Sequence, residues 1–122
     1  MAYKHSEKQR ADAQRRTKKY REAHPERVAA QRKAQRLRLK LKVFEVYGGP
    51  LCACCNEKYI EFLSIDHING GGNQHMKQVG LGNRFYQWLR KNNYPLGYRV
   101  LCMNCNFAIG RLGYCPHQSR TA

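Results

Sequence analysis

The chain has 122 residues and a formal net charge of +15, with 23 Lys and Arg against 8 Asp and Glu. This length suits one domain with a small core, and the strong positive charge favours a polyanionic partner over a neutral or cationic one. No apolar run approaches the roughly 20 residues that cross a bilayer, and the first ten residues lack the apolar stretch of a secretory signal. We therefore expect a cytoplasmic protein with no membrane partner.

The positive charge is concentrated at the amino-terminal end. Residues 1–42 hold 15 Lys and Arg against 4 acidic residues, a surplus of 11. Counterion release makes such a segment bind nucleic acid strongly at low salt, so nucleic acid is the expected partner. The basic residues that we expect to contact it in this segment are Arg15, Arg16, Lys18, Lys19, Arg32, Lys33 and Arg36.

Two helices are predicted in this part of the chain. Residues 4–22 and 25–46 are rich in Ala, Arg, Lys, Gln and Glu and contain no glycine, and Pro25 suits the first turn of a new helix. Leu, Ile, Val and Phe are scarce before residue 41, which predicts a basic helical arm over residues 1–42 and a compact domain over 43–122. The apolar residues expected to face this domain are Leu37, Leu41, Val43, Phe44 and Tyr47.

Short apolar stretches and turns alternate after Gly48. The pattern predicts a strand over 62–67, a glycine-rich loop over 69–73, a helix over 84–93, a strand over 98–101 and a helix over 104–112. The middle helix should bury Phe85, Trp88 and Leu89 and expose Arg84, Arg90 and Lys91. We therefore predict an α+β fold.

Two closely spaced cysteine pairs predict a structural metal site. Cys52 and Cys55 form one pair, and Cys102 and Cys105 form the other. Four thiolates in two such pairs are the usual ligands of a tetrahedral structural Zn²⁺, and a reducing cytoplasm favours metal binding over disulfides. Cys54 could replace Cys52 or Cys55 as a zinc ligand only with the tighter, less usual geometry of a Cys-x-Cys or adjacent-cysteine pair. We expect Cys54 and Cys115 to be small apolar residues or spectators.

Polar residues that suit phosphodiester chemistry adjoin these pairs. Asp66 and His67 end the first predicted strand, and Asn106 directly follows Cys105. Taken separately, Asp66 could cap a turn and Asn106 could cap the last helix. Together they supply oxygen ligands for a hard divalent cation and an imidazole that accepts a proton near pH 7.

This arrangement resembles the HNH endonuclease superfamily, and within it the zinc-containing branch that includes phage endonuclease VII. The resemblance covers residues 47–117 and implies a small ββα-metal domain, also called a His-Me finger, built around a structural zinc. It also implies that His67 is the general base and that Asp66 and Asn106 hold a catalytic Mg²⁺ or Mn²⁺. The expected activity is hydrolysis of double-stranded DNA in a bacterial or phage-infected cell. Because one active site cuts one strand, a double-strand break would require a homodimer or two successive binding events.

The chain departs from the superfamily at Gly97, where an asparagine often stands five residues before the second cysteine pair. The resemblance then leaves Asn92, Asn93 or a backbone carbonyl to orient the histidine.

His75 and His117 are both expected to be solvated. The alternative for His75 is a phosphate contact or a role beside the catalytic metal, because the glycine loop before it could fold over the site.

The basic residues of the compact domain have two interpretations. Arg84, Arg90, Lys91 and Arg99 are expected to contact phosphate, with a simple solvated surface as the alternative. Two other functions also fit the sequence: a non-catalytic zinc-containing nucleic-acid-binding protein, and a protein that acts on RNA.

Overall fold

The fold is that of a computed structural model, which describes residues 6–119. The helices are α1 (Glu7–Ala23), α2 (Pro25–Val46), α3 (Gly72–Val79), α4 (Asn83–Lys91), α5 (Met103–Leu112) and α6 (Pro116–Ser119); the strands are β1 (Leu63–His67) and β2 (Tyr98–Cys102). A 3₁₀ turn over Ile60–Phe62 precedes β1. Within the described chain, no helix combines the length and the apolar character that a membrane span requires.

The chain divides into two compact units, the first ending at Gln35 and the second beginning at Arg36. In the first unit, α1 begins with a capping box: the Ser6 hydroxyl accepts a hydrogen bond from the Gln9 N–H at 3.2 Å, and the Gln9 side chain accepts one from the Ser6 N–H at 2.8 Å. None of the residues in α1 is buried. This agrees with a sequence that has no apolar stripe.

The last turns of α2 supply core residues to the second unit. Leu39, Val43 and Phe44 are buried, whereas Leu37 is 48% exposed, so the prediction that Leu37 faces the core is wrong. Leu37 lies two residues before Leu39, which puts the two side chains on roughly opposite sides of a helix. Burial of Leu39 also explains why the second unit begins before residue 43, the boundary that the sequence predicts.

A two-stranded antiparallel sheet forms the centre of the second unit. Leu63 pairs with Cys102, Ile65 with Val100, and Asp66 with Arg99. Leu63, Ile65 and Val100 are buried, and α5 follows β2 without a loop. The structure therefore confirms the predicted α+β class.

The segment after β1 differs from the prediction. The sequence predicts a loop over residues 69–73, but only Gly70 and Gly71 have the positive φ values of a turn, and Gly72 begins α3. The helix α4 follows and buries Phe85 and Leu89 as predicted, while Trp88 is half-buried against the core. The short α3 brings its side chains over the end of β1.

Candidate functional site

Four cysteine sulfurs form a group that could hold a metal ion. The Sγ atoms of Cys52, Cys55, Cys102 and Cys105 all lie within 4.8 Å of one another. The Cys55 and Cys102 sulfurs are 3.7 Å apart, close to the ~3.8 Å that a tetrahedral ion with Zn–S bonds of about 2.3 Å would impose. These are the four cysteines that the sequence pattern pairs, and we refer to them as the four-sulfur group.

Local structure explains how two remote segments meet here. The first pair lies in a turn closed by a hydrogen bond from the Asn56 N–H to the Cys52 carbonyl, and the Ala53 N–H bonds to the Val100 carbonyl of β2 at 2.9 Å. Cys102 ends β2 and caps α5, where its sulfur accepts a hydrogen bond from the Cys105 N–H at 3.4 Å. The sheet and the helix cap therefore hold both pairs at fixed positions.

The remaining two cysteines are not spectators. Cys54 and Cys115 form a second group with Cys105 and His117, and the ligand atoms of this group also lie within 4.8 Å of one another. Cys115 is buried, so its expected burial is confirmed, but its sulfur is 3.2 Å from Nδ1 of His117. His117 therefore contacts sulfur rather than solvent alone. We call this set the three-sulfur–histidine group.

The thiols of the four-sulfur group have altered acidity. Burial opposes ionisation of Cys52, but hydrogen bonds from neighbouring backbone N–H groups outweigh it and lower the pKa of this thiol to about 7. Burial and the surrounding thiols raise the pKa of Cys105 far above its ordinary value. A cation among the sulfurs would offset this cost, which is how proteins hold clustered thiolates.

A separate cleft lies at the end of β1, and it is lined by the three residues that the sequence singles out for catalysis. Its volume is about 380 Å³, and Asp66, His67 and Asn106 all line it, together with Gly72 and Gly110. Asp66 and His67 come from the end of β1, and Asn106 comes from the first turn of α5. Because Asn106 directly follows Cys105, the four-sulfur group fixes its position relative to the sheet.

Asp66 and Asn106 each have a defined hydrogen-bond partner. The Asp66 carboxylate accepts a hydrogen bond at 2.9 Å from Nε of Arg99, its partner across the sheet. Nδ2 of Asn106 donates to the Ser64 hydroxyl at 3.2 Å, so its amide oxygen is not used in this bond. Asn106 does not cap α5, because the sulfur of Cys102 does so. Asp66 forms an ion pair with Arg99 rather than capping a turn.

His67 packs against an aromatic cluster. Its ring stacks on Phe85, with centroids 5.3 Å apart, and meets Tyr98 edge-on at 4.9 Å. Nε2 of His67 is 2.8 Å from Nδ1 of His75. The opposite ring nitrogen, Nδ1, would lie 2.9 Å from a methyl group placed on Gly72, so it faces the edge of the cleft that Gly72 lines.

His75 is the residue whose position the sequence predicts least well. It lies in α3 rather than in a loop, is half-buried, and packs edge-on against Trp88 with centroids 4.4 Å apart. His75 contacts Nε2 of His67. The side chain of Asn92, one of the groups that the resemblance offers for orienting the histidine, instead donates to the Trp88 carbonyl. A histidine eight residues from His67 carries no local signal of this contact.

The surroundings of His67 keep its imidazole neutral. Burial lowers the pKa of His67 and the neighbouring imidazole of His75 lowers it further, whereas Asp66 acts in the opposite direction. A histidine with a pKa below its ordinary value of about 6.5 is in the proton-accepting form at pH 7.

The basic residues predicted to bind nucleic acid are exposed, with one exception. The exposed ones are Arg15, Arg16, Lys18, Lys19, Arg32, Lys33, Arg36, Arg84, Arg90 and Lys91. Arg15 forms an ion pair with Asp12 on the helix surface. Arg99 is only 34% exposed and its guanidinium is bound to Asp66. Phosphate contact by these residues stays a prediction.

No protein-family model, no curated protein and no solved structure matches this chain. The chemistry and the positions of the residues described above are therefore the basis for assigning a function.

Proposed function

We propose that this protein is a metal-dependent endonuclease of the HNH type that hydrolyses phosphodiester bonds of DNA. The observation that carries the proposal is the shared cleft of Asp66, His67 and Asn106. Two segments that are remote in sequence contribute a carboxylate, an imidazole and a carboxamide to one small space. A zinc in the four-sulfur group would be structural, because four sulfur ligands leave no open position for substrate.

The side chains of the cleft suit a hard divalent cation. The Asp66 carboxylate and the Asn106 amide oxygen would hold Mg²⁺ or Mn²⁺, both of which prefer oxygen ligands. Hydrogen bonding of Asn106 through Nδ2 to Ser64 turns the amide so that its oxygen remains for the cation. A bound cation neutralises charge on the scissile phosphate and on the leaving oxygen. Because the Arg99 guanidinium already neutralises Asp66, the cation would either share the carboxylate with this guanidinium or displace it.

The surroundings of His67 suit a general base. Contact between Nε2 and His75 holds the ring, which leaves Nδ1, beside Gly72, as the nitrogen that takes the proton from the attacking water. Stacking on Phe85 restricts rotation of the ring and helps keep it neutral by burial. A positioned base of this kind contributes about 10² to 10⁴-fold to a hydrolysis rate.

A second function, nucleic-acid binding without catalysis, is favoured by one observation. The carboxylate of Asp66 forms an ion pair with Arg99, and a purely structural role in joining β1 to β2 is sufficient to explain this pair. The basic surface would then be the functional part, on DNA or on RNA.

Relaxation of supercoiled plasmid separates these two functions. The endonuclease should convert supercoiled DNA to open circles when Mg²⁺ or Mn²⁺ is added to zinc-loaded protein, and should do nothing when that cation is left out. Open circles should precede linear DNA because one cleft cuts one strand. Asp66→Ala and Asn106→Ala should abolish nicking while retaining zinc. Absence of cation-dependent nicking by the wild-type protein would favour the non-catalytic alternative.

The basic surface of α1 gives a prediction about affinity. Replacing Arg15, Arg16, Lys18 and Lys19 together by Gln should weaken duplex binding and flatten the plot of log K against log salt by about 0.9 for each phosphate that the protein no longer neutralises. Fluorescence anisotropy between about 50 and 200 mM salt measures both. The matched control, Arg15→Lys with Arg16→Lys, keeps the charge and should keep the slope. An unchanged slope in the four-Gln variant would remove α1 from the DNA interface.

Gly72 gives a prediction about the position of His67. A methyl group on Gly72 would lie 2.9 Å from Nδ1 of His67, so the ring must move in Gly72→Ala. The backbone tolerates Ala because Gly72 begins α3, and nicking should fall about ten-fold or more because a small misplacement of a catalytic group is costly. Gly110→Ala is the control: it lines the same cleft, but its methyl group would meet nothing within 4 Å. Equal rates for the two variants would contradict this position for the base.

A further inference from the structure

We propose that the protein binds a second zinc ion in the three-sulfur–histidine group, and that the sulfur of Cys105 bridges this ion to the one in the four-sulfur group. The proposal concerns metal content and does not depend on nuclease activity. Cys105 belongs to both groups, whose ligand atoms lie within 4.8 Å of one another in each case. All six cysteines of the chain would then be zinc ligands.

The distances around His117 fit coordination. Its Nδ1 is 3.2 Å from the sulfur of Cys115, 3.4 Å from that of Cys105 and 3.9 Å from that of Cys54. A tetrahedral zinc with bonds of about 2.3 Å to sulfur and about 2.0 Å to nitrogen separates a sulfur from a nitrogen ligand by about 3.5 Å. The three observed separations lie on both sides of this value.

Hydrogen bonding does not explain the same contacts. A single imidazole nitrogen either donates one N–H or offers one lone pair, so it forms one good hydrogen bond. Three sulfurs around Nδ1 exceed this capacity. They do match the surroundings of a nitrogen that shares one central cation with three thiolates.

The residues around the group also suit a metal site. The Gln118 side chain donates to the sulfur of Cys54 at 3.2 Å, an outer contact of the kind that stabilises a thiolate ligand. The Gln118 backbone N–H bonds to the Cys115 carbonyl at 2.9 Å, which closes the turn that presents His117. Cys115 is 3% exposed and Cys105 is fully buried, so these two sulfurs are shielded from water.

A bridging thiolate gives the second ion a structural consequence. The ligands come from the turn at Cys54, from the start of α5 at Cys105, and from the segment of Cys115 and His117 after α5. The second ion would join both ends of α5 to the cysteine turn. Asn106, next to Cys105, would therefore be positioned by both ions.

Metal counting on the full chain tests the number of ions. Native mass spectrometry should find two zinc ions in the wild-type protein and one in His117→Ala, whose exposed side chain can be removed without opening the core. His24→Ala is the matched control and should keep two, because His24 caps α1, far along the chain from either group. One zinc in the wild-type protein, or two in His117→Ala, would overturn the proposal. If circular dichroism shows His117→Ala to be unfolded, Cys54→Ala provides the same count at a half-buried position.

Cadmium substitution tests the bridge. With ¹¹³Cd in place of zinc, we expect two resonances split by coupling through the shared sulfur of Cys105. The resonance of the sulfur–nitrogen site should be missing in His117→Ala, and the four-sulfur resonance should become a singlet. Two uncoupled resonances in the wild-type protein would overturn the bridging role of Cys105.

Discussion

Cys102→Ser is expected to unfold the second unit at room temperature. The serine hydroxyl is a poor zinc ligand, and zinc binding by small zinc domains contributes about 10–16 kcal/mol at neutral pH. The free energy of unfolding of a typical domain is only about 5–15 kcal/mol, so removal of most of that contribution leaves little stability. Four of the thirteen buried core residues described are cysteines, which shows how little apolar core would remain to compensate. Near-UV circular dichroism and denaturant titration measure the change.

A core substitution separates the effect of metal removal from the effect of poorer packing. Leu89→Ala removes a fully buried side chain and should lower the free energy of unfolding by about 2–5 kcal/mol while leaving the zinc content unchanged. Chelation of zinc from the wild-type protein should reproduce the unfolding of Cys102→Ser, and added zinc should reverse it only in the wild type. A Cys102→Ser protein that stays cooperatively folded would show that the four-sulfur group does not hold the unit together.

Local patterns in the sequence predict much of this fold because their physical causes are local. The apolar run before Asp66 and the branched residues before Cys102 indicate strands, and Pro25 marks the start of α2. The spacing of each cysteine pair is likewise local, since one tight turn directs both sulfurs to one side. The α+β class and the grouping of four sulfurs follow from such patterns.

The features that the sequence does not predict depend on contacts between distant segments. Consecutive glycines before His75 indicate a loop, yet only the first two adopt turn conformations and the third starts a helix. The reversal at Gly70 and Gly71 brings His75 back onto His67. The glycine loop allows such a reversal, which is the alternative given for His75, but nothing in the sequence predicts the contact with His67. The second group needs Cys54, Cys115 and His117 to converge on Cys105 from three segments. The Cys-Pro-His sequence is the one local hint, because it places two potential ligands, Cys115 and His117, close together. The remaining ligands must come from other segments, which the sequence does not identify.

His67→Ala is expected to reduce cation-dependent plasmid nicking by about 10² to 10⁴-fold, the usual contribution of a general base. Removing the ring deletes the proposed proton acceptor beside Gly72 without touching a sulfur ligand or an exposed basic residue. Zinc content and DNA affinity should therefore equal those of the wild-type protein. Single-turnover rates at saturating Mg²⁺ measure the change in the chemical step and separate it from binding.

The contact between the two histidines gives this experiment an internal comparison. In the proposed mechanism His75 orients His67 through Nε2 and is not itself the proton acceptor, so His75→Ala should lower the rate less than His67→Ala. His24→Ala removes an imidazole from the end of α1 and should leave the rate unchanged. Nicking by His67→Ala at the wild-type rate would remove this imidazole from the mechanism. A larger reduction in His75→Ala than in His67→Ala would instead identify His75 as the base, since its ring lies against the same aromatic cluster.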